Sequence, residues 1–173
     1  LVGFSIIFPM FPAMAKHYLA VDADNFILKG MMGMITNIQS YSAGGETSVS
    51  SIVLFGGLLG ALYSLLQFIA APIWGGISDR IGRRPVLLIS VIGLFISYVM
   101  WVFSGSFTLL VLARIIGGFM SGNLSIASAV VSDITDEKNR SKGMAYIGIA
   151  FALGFVIGPA MGGILSLYNP IEH

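Results

Sequence analysis

Long apolar runs alternate with short polar segments along most of the chain, and this pattern predicts its architecture. The apolar runs cover about residues 1–17, 51–74, 85–103, 107–131 and 143–168. Because a helix needs about 20 largely apolar residues to cross a bilayer, we expect an all-α polytopic membrane protein with five transmembrane helices. Residues 18–50 form a long mixed connection, whose apolar patch Met31–Ile35 is too short to span and fits a short interfacial helix.

The composition supports lipid as the main solvent. The 173 residues are 56% hydrophobic and 10% charged, with a mean hydropathy of +0.91, whereas soluble domains carry about 25% charged residues. The net charge of +1 argues against a basic nucleic-acid-binding surface. There is no cysteine, and His17 and His173 lack ligand-like neighbours. We therefore expect no metal site and no cofactor. We also expect no enzymatic activity, since no catalytic triad or phosphate-binding loop is visible.

Both ends of the chain lie in or close to apolar runs. Leu1 begins inside the first run and His173 follows soon after the last. We therefore expect a fragment that is truncated at both ends. The alternative for the first run is a signal peptide, which the lack of a basic segment and of a small-residue cleavage site disfavours.

Basic residues predict the orientation of the chain, because cytoplasmic loops carry the excess of Lys and Arg. The loops on one side hold Arg80, Arg83, Arg84, Lys138, Arg140 and Lys142, whereas the other side holds Lys16 and Lys29. The loops that contain Asp79 and Asp133 are therefore predicted to be cytoplasmic. The choice between plasma membrane and internal membrane stays open.

The polar segment between the second and third runs has a distinctive spacing. Its residues Gly75, Asp79, Arg80, Gly82, Arg83 and Arg84 follow the pattern Gly-x-x-x-Asp-Arg-x-Gly-Arg-Arg. An Asp paired with an Arg across a turn can latch two helices, and glycine permits backbone angles that other residues avoid. These residues are a candidate gating loop. The alternative is a basic membrane anchor with no moving part.

Arg114 places a full charge inside the fourth run, roughly 10 Å from its start. A buried Arg costs at least about 2.5 kcal/mol and normally faces a cavity or a partner. Its helical face continues through Gly118, Ser121 and Ser125. Gln67, in the second run, is an amide that also needs a partner or a wet cavity. These five residues are candidate cavity or coupling residues, and the alternative for Arg114 is snorkelling to the membrane surface.

The fifth run carries glycines at every fourth position. Its candidate motif residues are Gly154, Gly158, Pro159, Gly162 and Gly163, in the pattern Gly-x-x-x-Gly-Pro-x-x-Gly-Gly. Small residues at this spacing let a neighbouring helix approach closely, and the proline removes one backbone hydrogen bond. By physical chemistry alone, the run predicts a kinked packing helix.

Together these three motifs resemble those of the major facilitator superfamily. The Asp79–Arg83 segment resembles its signature loop, Arg114 with Gly117-Gly118 its fourth-helix motif, and the fifth run its exporter and antiporter motif. The resemblance covers essentially the whole chain and is strongest to the drug:proton antiporter branch, in particular to eukaryotic tetracycline-transporter-like proteins. It implies the N-terminal half of a transporter domain, a gating role for the loop and a proton-coupling role for Arg114.

The resemblance also implies a function. We expect a secondary transporter of small organic molecules, either organic anions or amphipathic drugs, working by alternating access against a C-terminal half. Proton-coupled antiport stays open, because Asp79 and Asp133 both lie at the predicted cytoplasmic edge and no acid lies deeper. The alternatives are a uniporter or symporter of small solutes, and a non-transporting membrane scaffold or receptor.

Overall fold

The computed structural model describes residues 2–41 and 47–167. Within them the chain forms α1 (Val2–Ser5), a 3-10 turn (Phe8–Met10), α2 (Phe11–Val21), α3 (Phe26–Tyr41), α4 (Thr47–Ile81), α5 (Arg83–Val102), α6 (Phe107–Met120), α7 (Asn123–Ile134) and α8 (Arg140–Leu167). The described residues contain no strand, and the all-α prediction is therefore confirmed.

Five stretches of the described residues are long and apolar enough to cross a membrane. They are Val2–Val21, Ser51–Ile81, Arg83–Val102, Phe107–Ile134 and Arg140–Leu165. Their number and order agree with the predicted runs. The predicted limits at residues 1 and 168 lie outside the described residues.

The first span is divided by its two prolines. Pro9 lies in the first turn of the 3-10 segment, and Pro12 lies in the first turn of α2. A proline is tolerated there because the N–H that it lacks would have no helical partner. The chain can therefore restart a helix at each proline and continue in one apolar run.

The connection after the first span is more ordered than its mixed sequence indicated. Asn25 Oδ1 accepts the backbone N–H groups of Ile27 and Leu28 at 3.0 and 3.4 Å, which caps the start of α3. The interfacial helix expected around Met31–Ile35 belongs to this helix of 16 residues. It buries Leu28 and Ile35, which lie two turns apart and therefore on one face.

The candidate gating loop is almost entirely helical, which the sequence did not indicate. The helix α4 continues to Ile81 and α5 begins at Arg83, so Gly82 alone separates them. Gly82 has φ 99° and ψ 151°, a conformation essentially restricted to glycine. Polar residues at the end of an apolar run had suggested a loop, but nothing between Gly75 and Ile81 prevents a helix from continuing.

The fourth span consists of two helices rather than one. Ser121 and Gly122 separate α6 from α7, although the sequence predicted one continuous helix over 107–131. No proline marks this interruption. The helical face expected to run from Arg114 to Ser125 along a single helix is therefore divided between two helices.

The chain divides into two compact units. The first comprises residues 1–60, 105–108 and 152–173, and the second comprises 61–104 and 109–151. In the first unit the Asp22 carboxylate accepts the Phe107 N–H at 2.8 Å and so caps α6 from a distance. The second unit has a buried apolar cluster that consists of Ala70, Trp74, Val86 and Ile126.

Candidate functional site

Arg83 is the centre of a polar latch in the second unit. Its Nη1 lies 2.5 Å from Asp79 Oδ1 and donates to Ser78 Oγ at 2.7 Å. Its Nε donates to Asp133 Oδ2 at 3.1 Å. One guanidinium therefore joins the end of α4, the start of α5 and the end of α7, which is possible because Arg presents a planar fork of donors.

Two members of this latch were missed by sequence reasoning. Ser78 is buried, and its hydroxyl donates a hydrogen bond to the Gly75 carbonyl at 2.8 Å. Asp133 had been placed at the same membrane edge, but no local pattern connects it with Arg83 across 50 residues of chain. Only the antiparallel return of the fourth span brings the two side chains together.

The remaining residues of the candidate gating loop do not join the latch. Arg80 and Arg84 are exposed and form no ion pair with any described residue. A Cβ added to Gly75 would meet no atom within 4 Å. Gly75 therefore leaves an open surface on α4, whereas Gly82 provides the turn.

Arg114 is buried, and part of its guanidinium has no hydrogen-bond partner among the described residues. The residue is 6% exposed, and its guanidinium carbon lies 5.0 Å from the ring centre of Trp101. Such a cation–π contact compensates in part for lost water. Within the part of the chain that the structure describes, Arg114 Nε and Nη2 are buried without a hydrogen-bond partner.

A small cavity lies beside Arg114 in the second unit. Its walls are formed by Tyr63, Ser97, Tyr98, Trp101 and Ala113, together with Arg114 itself. Its volume is about 10 Å³, which is room for about one water molecule. In this conformation the cavity is therefore too small for an organic solute.

Glycines on α6 allow the helices beside this cavity to pack closely together. A Cβ at Gly117 would come within 2.5 Å of Ser97 Oγ, and one at Gly118 within 2.9 Å of the Tyr63 carbonyl oxygen. Ser97 Oγ also donates to the Ala113 carbonyl at 2.9 Å. The three helices α4, α5 and α6 consequently approach one another closely one turn after Arg114.

The other candidate cavity residues do not line this cavity. Gly118 packs against α4, as described above. Gln67 Nε2 donates to the Ser121 carbonyl at 3.3 Å. Ser121 Oγ donates to the Gly118 carbonyl at 2.7 Å, and Ser125 Oγ donates to the Ala71 carbonyl at 3.1 Å. The amide of Gln67 thus has the partner that its depth demanded, and these residues connect helices instead of enclosing space.

The glycine motif of α8 lies in the first unit, against the start of the first span. Ser5 Oγ donates to the Gly154 carbonyl at 2.7 Å. A Cβ at Gly158 would come within 1.8 Å of Ser5 Oγ, and one at Gly162 within 2.1 Å of the Ile6 carbonyl oxygen. A Cβ at Gly163 would meet nothing within 4 Å. Gly158 and Gly162 therefore allow the first span to pack closely against α8, and Pro159 lies within a continuous α8.

No candidate metal site is found in residues 2–41 and 47–167, where no three His, Asp or Glu side chains are grouped as metal ligands. The two carboxylates nearest the membrane-spanning segments, Asp79 and Asp133, both contact Arg83. Arg83 therefore has carboxylate partners, whereas Arg114 has two nitrogens without a partner among the described residues.

Five candidate membrane spans among the described residues indicate an integral, multi-pass membrane protein. The family model of the Major Facilitator Superfamily matches residues 1–170. The chain belongs to this superfamily.

Individual relatives support the same assignment. The chain is 39% identical over 167 residues to major facilitator superfamily domain-containing protein 10 of Mus musculus, which covers 96% of this chain and 36% of the mouse protein. It is 38% identical over 119 residues to the class H tetracycline resistance protein of Pasteurella multocida, covering 69% and 30% of the two chains. The crystal structure of the human organic anion transporter MFSD10 (TETRAN) matches with a TM-score of 0.85 and 37% identity, over 93% of this chain and 37% of that one. The chain thus spans about a third of the length of these relatives.

Proposed function

We propose that this chain is the N-terminal half of a secondary transporter that moves small organic anions or amphipathic drugs across a membrane. The similarity to a human organic anion transporter and to tetracycline resistance proteins supports the substrate class. The observation that carries the proposal is the buried guanidinium of Arg114, two of whose nitrogens lack a partner among the described residues. A charge in an apolar span is retained where it serves a function.

Alternating access requires a second half against which this half can rock. The cavity beside Arg114 has room for about one water molecule, so an organic anion reaches Arg114 only after the helices around it move. We propose that Arg114 attracts either the anionic substrate or a carboxylate of the C-terminal half. The Asp79–Arg83 latch would then hold the cytoplasmic ends of the helices in one state of the cycle.

From the positive-inside rule we propose that this latch and the segment after α7 lie on the cytoplasmic side. The connection that contains α3 then faces the outside or a lumen. A reporter cysteine at Phe26, which is 88% exposed, tests the orientation. An impermeant thiol reagent added to intact cells or sealed outside-out vesicles labels it if α3 faces outward, whereas labelling only after permeabilisation contradicts the proposed orientation.

Transport itself is tested with the intact native polypeptide in proteoliposomes. Uptake of a labelled organic anion is measured for the wild type and for Arg114→Ala, with membrane insertion followed in parallel. We expect the variant to insert normally and to lose transport. Unchanged anion uptake in Arg114→Ala would contradict the proposal.

Proton-coupled antiport is the form of transport that the resemblance of the sequence motifs to the drug:proton antiporter branch implies. Asp79 and Asp133, the carboxylates within the described candidate spans, are both paired with Arg83. Coupling would therefore need a carboxylate of the C-terminal half. A flux that responds to an imposed pH gradient supports coupling, and a flux that ignores it supports a uniporter.

A further inference from the structure

The interruption of the fourth span at Ser121 and Gly122, which we call the joint, coincides with two contacts from α4. In an uninterrupted helix the Phe119 carbonyl would accept the N–H of Asn123, and the Ser121 carbonyl would accept that of Ser125. Here Trp74 Nε1 donates to the Phe119 carbonyl at 2.7 Å. Gln67 Nε2 donates to the Ser121 carbonyl at 3.3 Å. Side chains of the second span thus occupy one acceptor just before the joint and one within it.

The packing around the joint leaves little room for a different arrangement. A Cβ at Gly122 would lie 2.7 Å from Trp74 Cδ1 and 3.0 Å from the Ala70 carbonyl carbon. The rings of Trp74 and Phe119 are 5.9 Å apart, and Trp74 is buried. Kinks without proline commonly form at Gly/Ser pairs or where a side chain enters the backbone hydrogen-bond ladder. The joint is a Ser-Gly pair, and the indole of Trp74 also enters the ladder beside it.

We propose that Trp74 and Gln67 are positioning residues that keep the joint open and so fix the direction of α7 relative to α6. Arg114 lies on α6, whereas Asp133, at the end of α7, contacts Arg83. The joint therefore connects the Arg114 cavity to the Arg83 latch, and its geometry decides whether both can form together. The consequence for transport rate rests on the proposed function, but the effect on the joint does not.

The proposal is tested by amide hydrogen exchange of the intact native polypeptide with Trp74→Phe. This variant keeps an aromatic ring beside Gly122 but loses the N–H donor. The Phe119 carbonyl then becomes available to the N–H of Asn123, so exchange over residues 122–125 should slow by roughly 2- to 10-fold, as one added hydrogen bond predicts. Unchanged or faster exchange over these residues overturns the proposal.

Two further variants keep the test decisive if Trp74→Phe does not fold. Gln67→Leu removes the second donor and should slow exchange at Ser125. Ser128→Ala is the matched control, because its hydroxyl donates to the Leu124 carbonyl within its own helix. Exchange at the joint should be unaffected in Ser128→Ala, and equal slowing there would show that the effect does not come from the joint.

A kinetic measurement then separates positioning from substrate binding. Trp74→Phe should lower the maximal transport rate by roughly 2- to 10-fold, the rate equivalent of one hydrogen bond, and leave KM unchanged. A raised KM with an unchanged maximal rate contradicts the coupling of joint and latch. If the wild type transports nothing, the proposed function fails, whereas the exchange experiment still decides the role of Trp74 and Gln67.

Discussion

Two arginines of the second unit show opposite solutions for a guanidinium near or in a membrane. Arg83 lies at the edge of the spans, with a side chain that is 29% exposed, and has two carboxylates as partners. Arg114 is 6% exposed, and two of its nitrogens lack a partner among the described residues. The charge of Arg83 is balanced by two neighbouring carboxylates. The charge of Arg114 has no carboxylate partner among the described residues.

The difference separates a structural contact from a candidate functional charge. Exposed ion pairs contribute up to about 1 kcal/mol each, so the Arg83 latch can form and break at small cost. A buried Arg costs at least about 2.5 kcal/mol on insertion scales, and the Trp101 ring returns up to about 2 kcal/mol of this. Arg114 therefore destabilises the unit that contains it, and under the proposed function a gain in the transport cycle offsets this cost.

The largest effect is expected from removing the charge of Arg114 while keeping a long, unbranched side chain. Arg114→Met should abolish anion transport and leave the free energy of unfolding unchanged or raised by up to about 2 kcal/mol, because an unpaired buried charge is lost. Thermal unfolding in detergent and proteoliposome flux measure the two effects. A marked loss of stability would mean that Arg114 has an acceptor that holds the fold together.

The gate is tested by Asp79→Asn, which keeps the side-chain shape but removes one charge from the latch. We expect turnover to slow by roughly fivefold at most, since a pair worth up to about 1 kcal/mol is weakened, with substrate affinity less affected. Substrate binding and maximal flux are measured on the same preparation. A loss of affinity at unchanged turnover would instead place Asp79 at the substrate site.

The contact between Arg83 and Asp133, which the sequence did not predict, is tested by a double-mutant cycle. Arg83→Ala, Asp133→Asn and the double variant should give a coupling free energy of about 0.5–1 kcal/mol in thermal unfolding. Arg84→Ala is the matched control, because Arg84 is exposed and forms no ion pair with a described residue. Zero coupling between Arg83 and Asp133, or an equal effect in Arg84→Ala, would remove Asp133 from the latch.

The smallest effect is expected at the exposed pair of Asp24 and Lys29, whose atoms lie 2.8 Å apart. The hydrogen bond and the charge of Lys29 lower the pKa of the Asp24 carboxyl below its usual value. A lowered pKa adds stability above the pKa of the unfolded chain, and this is lost as the pH falls through the lowered value. Because water screens the pair, Asp24→Asn should not measurably shift the melting temperature at neutral pH. A clear shift would show that this exposed ion pair contributes more to stability than screening by water allows.

The sequence predicted the spans well because apolar length is a physical requirement of the bilayer. The motif around Asp79 also indicated a pair with an arginine. The sequence did not predict the contact between Arg83 and Asp133 or the joint of the fourth span. Both features involve contacts between segments that are distant along the chain. Asp133 reaches Arg83 from 50 positions away, and the joint of the fourth span coincides with donors from Trp74 and Gln67. The Ser121-Gly122 dipeptide is itself a turn signal, but the apolar run around it favoured one continuous helix.

The candidate cavity residues illustrate a second limit. Helical periodicity placed Gly118, Ser121 and Ser125 on the face of Arg114, but the interruption at Gly122 ends this periodicity. Tyr98 and Trp101, which line the cavity, were not predicted, since aromatic residues in an apolar span are usually packing residues. Their spacing of three on α5, which puts both on one helical face, is the signal that could have found them.

The central claim is that Arg114 supplies a positive charge to an anionic partner, and equilibrium binding tests it most directly. An organic anion and a neutral analogue of the same shape are titrated into the purified intact polypeptide, as wild type and as Arg114→Gln. We predict that the variant loses affinity for the anion by at least roughly tenfold, as for a charged hydrogen bond of about 1.5–3 kcal/mol, and binds the neutral analogue as the wild type does. Equal affinities of wild type and variant for the anion would contradict the account.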